Sequence, residues 1–166
     1  MDKGIYALIF SNRPCSLAIG SLGEVRFRGG WHVYIGSALG PGGLSRVRRH
    51  LRLSRARDRP ARWHVDRLLL SPSFTLRHLV CGPCGSDLEC ALGATLGGES
   101  VASFGCSDCS CGSHLFHRAT DPLDEVRDAM VSLGLDTRST TLMSRDLPSV
   151  GLSKRVFRLS VKHIKG

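Results

Sequence analysis

Residues 4–10, Gly-Ile-Tyr-Ala-Leu-Ile-Phe, form a short, nearly unbroken apolar run ended by Ser11-Asn12-Arg13-Pro14, which predicts a buried strand. Leu17-Ala-Ile-Gly and Glu24-Val-Arg-Phe-Arg flank Ser21-Leu22-Gly23 as the arms of a hairpin. Trp31–Ile35 comes next as a further strand, and residues 36–43 hold four glycines and a proline, the composition of a tight loop. Leu44, Val47 and Leu51 then recur at helical spacing, with Arg46, Arg49 and His50 on a neighbouring face. Residues 63–68 read as a short helix and Phe74–Cys81 as a strand. Ser86-Asp87-Leu88-Glu89 has the form of a capping box opening a helix on Leu88, Leu92 and Leu96, stopped by Gly97-Gly98. Residues 105–117 are rich in Cys, Ser and His and read as irregular. Asp121-Pro122 opens a last helix on Leu123, Val126, Met130 and Leu133, stopped by Gly134, and Phe157, Leu159 and Val161 alternate as a final strand. The plan is α+β, a small, mostly antiparallel sheet flanked by helices.

Charge adds the first functional constraint. The chain has 166 residues, with 23 Lys and Arg against 14 Asp and Glu, a formal net charge of +9. Between Arg46 and Arg62 eight arginines face one acid, Asp58, so this segment alone carries +7. With 42% hydrophobic and 22% charged residues the chain folds rather than remaining a disordered polycation, and its basic surface points to a polyanionic partner. The longest apolar runs fall far short of the roughly 20 residues of a membrane span, and the segment after Met1-Asp2-Lys3 is too short for a signal peptide. Seven cysteines is an odd number, and six lie between Cys81 and Cys111. That pattern favours a reducing cytoplasm, with thiols free or on a metal, over a secreted disulfide scaffold. With no exposed apolar helix or heptad in the pattern, a monomer is expected.

The candidate chemistry lies in two tripeptides and three residues downstream of them. Gly4-Ile5-Tyr6 and Tyr34-Ile35-Gly36 contain the only two tyrosines of the chain, and Arg46, His50 and Glu89 come after them in order. Taken singly, each residue has a plainer reading. Glu89 could complete the capping box with Ser86, Arg46 could belong to a solvated basic helix face, and His50 could be a surface imidazole. Together the set resembles the GIY-YIG endonucleases, and within them the Uri-superfamily branch. The closer match runs through residues 34–44, Arg46-x3-His50, Trp63-His-Val-Asp66, Glu89-Cys90 and the segment Ser107–Phe116.

The resemblance implies a GIY-YIG-like nuclease domain over residues 1–120, with 121–166 a C-terminal extension, and a divalent-metal-dependent endonuclease acting on DNA. By that implication Glu89 holds Mg²⁺ or Mn²⁺, Arg46 clamps the phosphate, Tyr6 activates water, and Tyr34 and His50 assist. The chemistry suits the residues. Mg²⁺ takes hard oxygen ligands, often one or two carboxylates, and a guanidinium presents two donors and a fixed charge to a phosphate. A free phenol, with a pKa of ~10, needs cationic neighbours to act as a base. Gly36 would let nucleic acid approach the backbone, and Arg48, Arg49, Arg52 and Arg55 would bind phosphates without reading sequence. The late Asn common in the family has no counterpart, since the only asparagine is Asn12; either Asp108 or Ser107 substitutes, or that role is vacant. His64 and Asp66 are a candidate supporting pair, with ordinary capping or core satisfaction the alternative. Two rivals stand beside this reading: a non-catalytic, zinc-stabilised nucleic-acid-binding module with a vestigial nuclease site, and a phosphodiesterase acting on RNA or nucleotides.

The cysteines allow several arrangements. Cys81-x2-Cys84 and Cys106-x2-Cys109-x-Cys111, with His114 and His117, offer tetrahedral zinc ligands at nearly paired-elbow spacing. The family match covers Cys90, Cys109, Cys111 and His114 but not Cys81 or Cys84. Cys109, Cys111 and His114 are the candidate zinc ligands, while Cys90 beside Glu89 allows the matched set to line the active site instead. The plain alternative is that several are buried small hydrophobes.

Overall fold

A computed structural model describes residues 2–143 of the chain. The expected strand over 157–161 lies outside them. Among the described residues the fold is α+β, as the sequence pattern indicates. Strands β1 (Gly4–Asn12), β4 (Gly30–Ser37), β5 (Phe74–Pro83), β6 (Leu115–Arg118) and β7 (Arg138–Thr141) form one antiparallel sheet in the order β6-β4-β1-β5-β7. The hairpin β2 (Cys15–Ala18) and β3 (Glu24–Phe27) pairs separately, around a single 3-10 turn at Gly20–Leu22. Four helices complete the unit: α1 (Ser45–Ala56), α2 (His64–Leu70), α3 (Glu89–Leu96) and α4 (Leu123–Ser132). Among the described residues no helix is long and apolar enough to cross a membrane.

Strand β1 is central and buried on both faces, which explains why its sequence is a continuous apolar run rather than an alternating one. Tyr6, Leu8 and Phe10 pack against Val47, Leu51 and Leu53 of α1 and Val65, Leu68 and Leu69 of α2. Ile5, Ala7 and Ile9 pack on the opposite side with Val33, Ile35, Val80, Leu92 of α3 and Val126, Ala129 and Met130 of α4. The sheet is therefore a partition with one helix pair on each face. Residue 6 belongs to the α1–α2 face, while the first turn of α3 comes up from the other.

Two expectations are corrected. Residues 115–118 are not irregular; they form edge strand β6 against Trp31–Tyr34, with Leu115, Phe116 and His117 buried in succession. Four residues are too few to show an alternation, and the polar composition before them hides the element. Strand β7 forms the opposite edge of the sheet. His78 Nε2 bonds the carboxylate of Asp121 (2.8 Å) and its Nδ1 bonds the Thr141 hydroxyl (2.9 Å), so one imidazole ties β5 to β7 and to the turn before α4. Helix α4 fills the same core as β1, and β7 extends the same sheet. Finally, the capping box does not form. Helix α3 starts at Glu89, whose backbone N–H donates to Asp87 Oδ1 at 3.2 Å, and the Glu89 side chain turns elsewhere.

Candidate active site and an adjoining cysteine–histidine cluster

The register of β1 and β4 brings the two tripeptides together. Tyr6 is opposite Gly36, and Leu8 is opposite Tyr34, so both phenols stand on the α1–α2 face, their ring centroids 6.5 Å apart. Gly36 is buried under the Tyr6 ring, and a Cβ there would overlap that ring. Its role is thus steric fit to Tyr6 and not an open backbone for nucleic acid, a correction to the sequence expectation.

Helix α1 supplies the next two groups. Arg46 and His50 are one turn apart and project toward the same phenol. Tyr6 Oη and His50 Nε2 are 2.9 Å apart. His50 is fully buried, not a surface imidazole, and its Nδ1 faces Asp66 Oδ1 at 3.9 Å. With a carboxylate on that side the ring proton belongs on Nδ1, so Nε2 accepts from the Tyr6 hydroxyl. That Nδ1 is the one buried side-chain polar atom among the described residues that lacks a hydrogen bond. Burial lowers the His50 pKa to about 4, with Asp66 opposing and Arg49 and Arg46 adding to the fall, so the ring is neutral at neutral pH.

Glu89 comes from the far side of the sheet. The Ser37 backbone favours the charged form of Glu89, while the Ser37 carbonyl accepts from Arg46 Nη1 at 2.7 Å. The end of β4 therefore holds the acidic and the basic group of the site side by side. Burial, helped by the charges of Asp87 and Asp108, raises Glu89 to about 7, against the Ser37 backbone and Arg46. Both phenols are held well above their usual range. For Tyr6 burial is the main cause, with Tyr34 and Glu89 adding and Arg46 opposing; for Tyr34 burial leads, with Glu89 adding and Arg46 opposing. Tyr6, Tyr34, Arg46, His50 and Glu89 thus converge from β1, β4, α1 and α3.

Asp66 has a larger part than its sequence position reveals. It is fully buried, and its carboxylate accepts from Arg49 through Nη1 (3.1 Å) and Nη2 (2.8 Å). It also accepts the backbone N–H groups of Arg62 (2.8 Å) and Trp63 (3.0 Å), capping α2 from inside its first turn. Burial, the largest single influence, pushes its pKa up, but Arg49 and the two N–H groups together outweigh it and hold the carboxyl below its ordinary range. The expected pairing with His64 is absent. Both residues lie on α2, where a two-residue step turns side chains apart. His64 Nδ1 instead accepts the backbone N–H of Gly105 at 3.1 Å. Trp63 is 39% exposed, with the Arg49 guanidinium 4.1 Å and the Arg46 guanidinium 5.3 Å from its ring centroid.

The arginine run is not one surface. On an α-helix Arg48, Arg52 and Arg55 sit about half a turn away from Arg46 and His50. Arg49 is committed to Asp66 and Trp63, and Arg52 approaches Asp58 at 3.4 Å. Asp108 is exposed and bears on Glu89 through its charge. Asn12 bonds the Arg28 carbonyl (2.8 Å) and His32 Nδ1 (2.8 Å), tying β1 to the β3–β4 connection rather than entering the site.

The cysteines sort themselves spatially. Cys90, Cys109, Cys111 and His114 form a cluster whose ligating atoms lie within 4.8 Å of one another, and this cluster could hold a metal ion. Cys90 and Cys111 are in sulfur–sulfur contact as a disulfide, with Cα atoms 5.9 Å apart. His114 Nε2 is 3.3 Å from Cys109 Sγ and 3.4 Å from Cys111 Sγ, and its Nδ1 is 3.8 Å from Glu89 Oε1. The paired-elbow arrangement does not occur. Cys81 is packed against the core, where burial raises its thiol to about 11, and the Cys84 thiol donates to the Ser86 carbonyl. His117 Nε2 bonds the Gly29 carbonyl, away from the cluster. Cys90 is the member that a choice of Cys109, Cys111 and His114 leaves out; its place beside Glu89 is the signal that could have found it.

No curated protein and no solved structure shows significant similarity to the chain. A family model does match it, across nearly all of the described fold. Residues 5–135 match the domain of unknown function DUF123, and the chain belongs to that family.

Proposed function

We propose that this protein is a divalent-metal-dependent endonuclease of the GIY-YIG type that hydrolyses phosphodiester bonds in DNA. The observation supporting the reading is that two phenols, a neutral imidazole, a guanidinium and a carboxylate come close to one another, although they lie up to 83 positions apart in the chain (89 − 6). Glu89 fits a hard cation by donor type and by its orientation beside Arg46 and the phenols. Mg²⁺ bound there would neutralise charge on the phosphate oxygens.

The chain's own groups have complementary tasks. Arg46, exposed and anchored by one N–H to Ser37, has donors left for a phosphate. Tyr6 gives its hydroxyl proton to His50 Nε2 as it takes one from the attacking water, so a phenolate need not form. Asp66 faces the resulting imidazolium through Nδ1 and stabilises it. Tyr34 stands beside Tyr6 to orient the water or the phosphate.

One observation favours binding without cleavage as the second reading: Tyr6 is only 2% exposed. A divalent-metal cleavage screen on flap, fork, nicked and single-stranded DNA, with RNA in parallel, separates the readings. The proposal expects metal-dependent nicking of DNA. Salt-sensitive binding with no nicking of any substrate favours the binding module, and cleavage of RNA alone moves the site to an RNA-directed phosphodiesterase.

A further inference from the structure

A disulfide accounts for two sulfur atoms, yet four ligating groups meet at the start of α3. Cys109 Sγ and His114 Nε2 come to the same place as Cys90 and Cys111, and nothing in disulfide chemistry calls for a third thiol and an imidazole there. The spacing fits one small ion. Zn–S bonds of ~2.3 Å and Zn–N bonds of ~2.0–2.1 Å in a tetrahedron put ligand atoms about 3.6–3.8 Å apart. The contacts of His114 Nε2 with two sulfurs, at 3.3 and 3.4 Å, are close to that edge, and all four atoms stay within 4.8 Å. Three thiolates and an imidazole are a soft set that suits zinc and does not suit the magnesium expected at Glu89.

We propose that Cys90, Cys109, Cys111 and His114 bind one zinc ion, which clasps the loop before β6 to the first turn of α3. The chain from Cys106 to Gly112 forms neither helix nor strand, so this loop has little regular structure of its own. Three of the ligands enter from the loop and its exit, and the fourth, Cys90, is the second residue of α3. The ion therefore anchors the turn that carries Glu89. His114 presents its other nitrogen, Nδ1, toward Glu89 Oε1 at 3.8 Å, on the side where zinc-bound histidines commonly meet a carboxylate. The two uses of the sulfurs exclude each other. Zinc takes Cys90 and Cys111 as thiolates, whereas a disulfide between them leaves only Cys109 and His114.

The clasp goes beyond the proposed nuclease activity and stands whether or not the chain cuts DNA. Its test uses full-length protein without a histidine tag, kept reduced with a phosphine, loaded with zinc and dialysed. Metal analysis should find about one equivalent. Cys109→Ser and His114→Ala should each fall to a small fraction of that, while Cys84→Ser keeps it. Cobalt substitution of the unaltered protein, which needs no variant to fold, should give thiolate-to-cobalt charge-transfer bands and intense tetrahedral d–d bands. The proposal is overturned if reduced protein retains under about a tenth of an equivalent, if the cobalt spectrum lacks thiolate charge transfer, or if Cys109→Ser and His114→Ala both retain full zinc.

Discussion

Replacing Asp66 by Asn isolates the buried carboxylate that organises α1, α2 and His50. The native carboxylate accepts two bonds from Arg49 and two from the backbone at the start of α2. Oδ2 accepts Arg49 Nη2 and both backbone N–H groups, while Oδ1 accepts Arg49 Nη1. An Asn oxygen at the Oδ2 place keeps the helix cap, but its NH₂ then faces Arg49 Nη1, donor against donor, and the buried charge opposite the guanidinium is gone. Losing that charge-assisted pairing costs about 1.5–3 kcal/mol, reduced because Arg49 is 34% exposed and can rehydrate. A net loss of about 1.5–3 kcal/mol is expected, read by urea denaturation at neutral pH with the slope unchanged. The pH dependence is a second check. The folded-state pKa of Asp66 lies below its ordinary value, so its ionised contribution is complete above that value and disappears as pH falls through the lowered one. The difference between native and variant protein should therefore shrink in acid. A loss under about 0.5 kcal/mol, or a difference that grows as the pH falls, refutes the role given to Asp66.

Other consequences are equally direct. Gly36→Ala places a methyl group against the Tyr6 ring; it should cost about 1–3 kcal/mol in denaturation by overpacking and abolish any cleavage, and an alanine variant with native stability would contradict the fit. Trp63→Ala removes the surface on which Arg46 and Arg49 lie; single-stranded DNA should bind about 1–3 kcal/mol more weakly if a base stacks there, while Trp63→Phe recovers much of the loss. Titration of DNA binding against salt should show a steep slope, and replacing Arg48, Arg52 and Arg55 together by Ala should reduce it by about 2–3; an unchanged slope would place the phosphates elsewhere.

The sequence makes some of this arrangement readable and hides the rest for definite reasons. Tyr6, Tyr34, Arg46, His50 and Glu89 stand out only as an ordered set, through the resemblance to the GIY-YIG endonucleases, and the fold brings all five together. The helix on Leu88, Leu92 and Leu96 is equally plain from its period. The hidden features depend on contacts that no local pattern encodes. Glu89 does not cap with Ser86 but turns toward the end of β4, beside Ser37, 52 positions away (89 − 37). Asp66 looks like an ordinary helix-start acid until Arg49 and His50 arrive from another helix. The arginines between 46 and 62 are alike as charges, and only the helical turn separates those aimed at the site from those aimed away. Strand β6 is invisible because four residues show no period, and Cys90 joins the cluster through space from a helix whose other residues are mostly apolar.

The central claim, that Glu89 is the carboxylate of a metal-dependent nuclease site, is tested most directly by Glu89→Gln. The amide keeps the size of the side chain and removes its charge. Native protein and variant should bind the same DNA with similar affinity in calcium, and on adding magnesium only the native protein should cut. Magnesium-dependent cutting that survives in Glu89→Gln at a comparable rate would contradict the account.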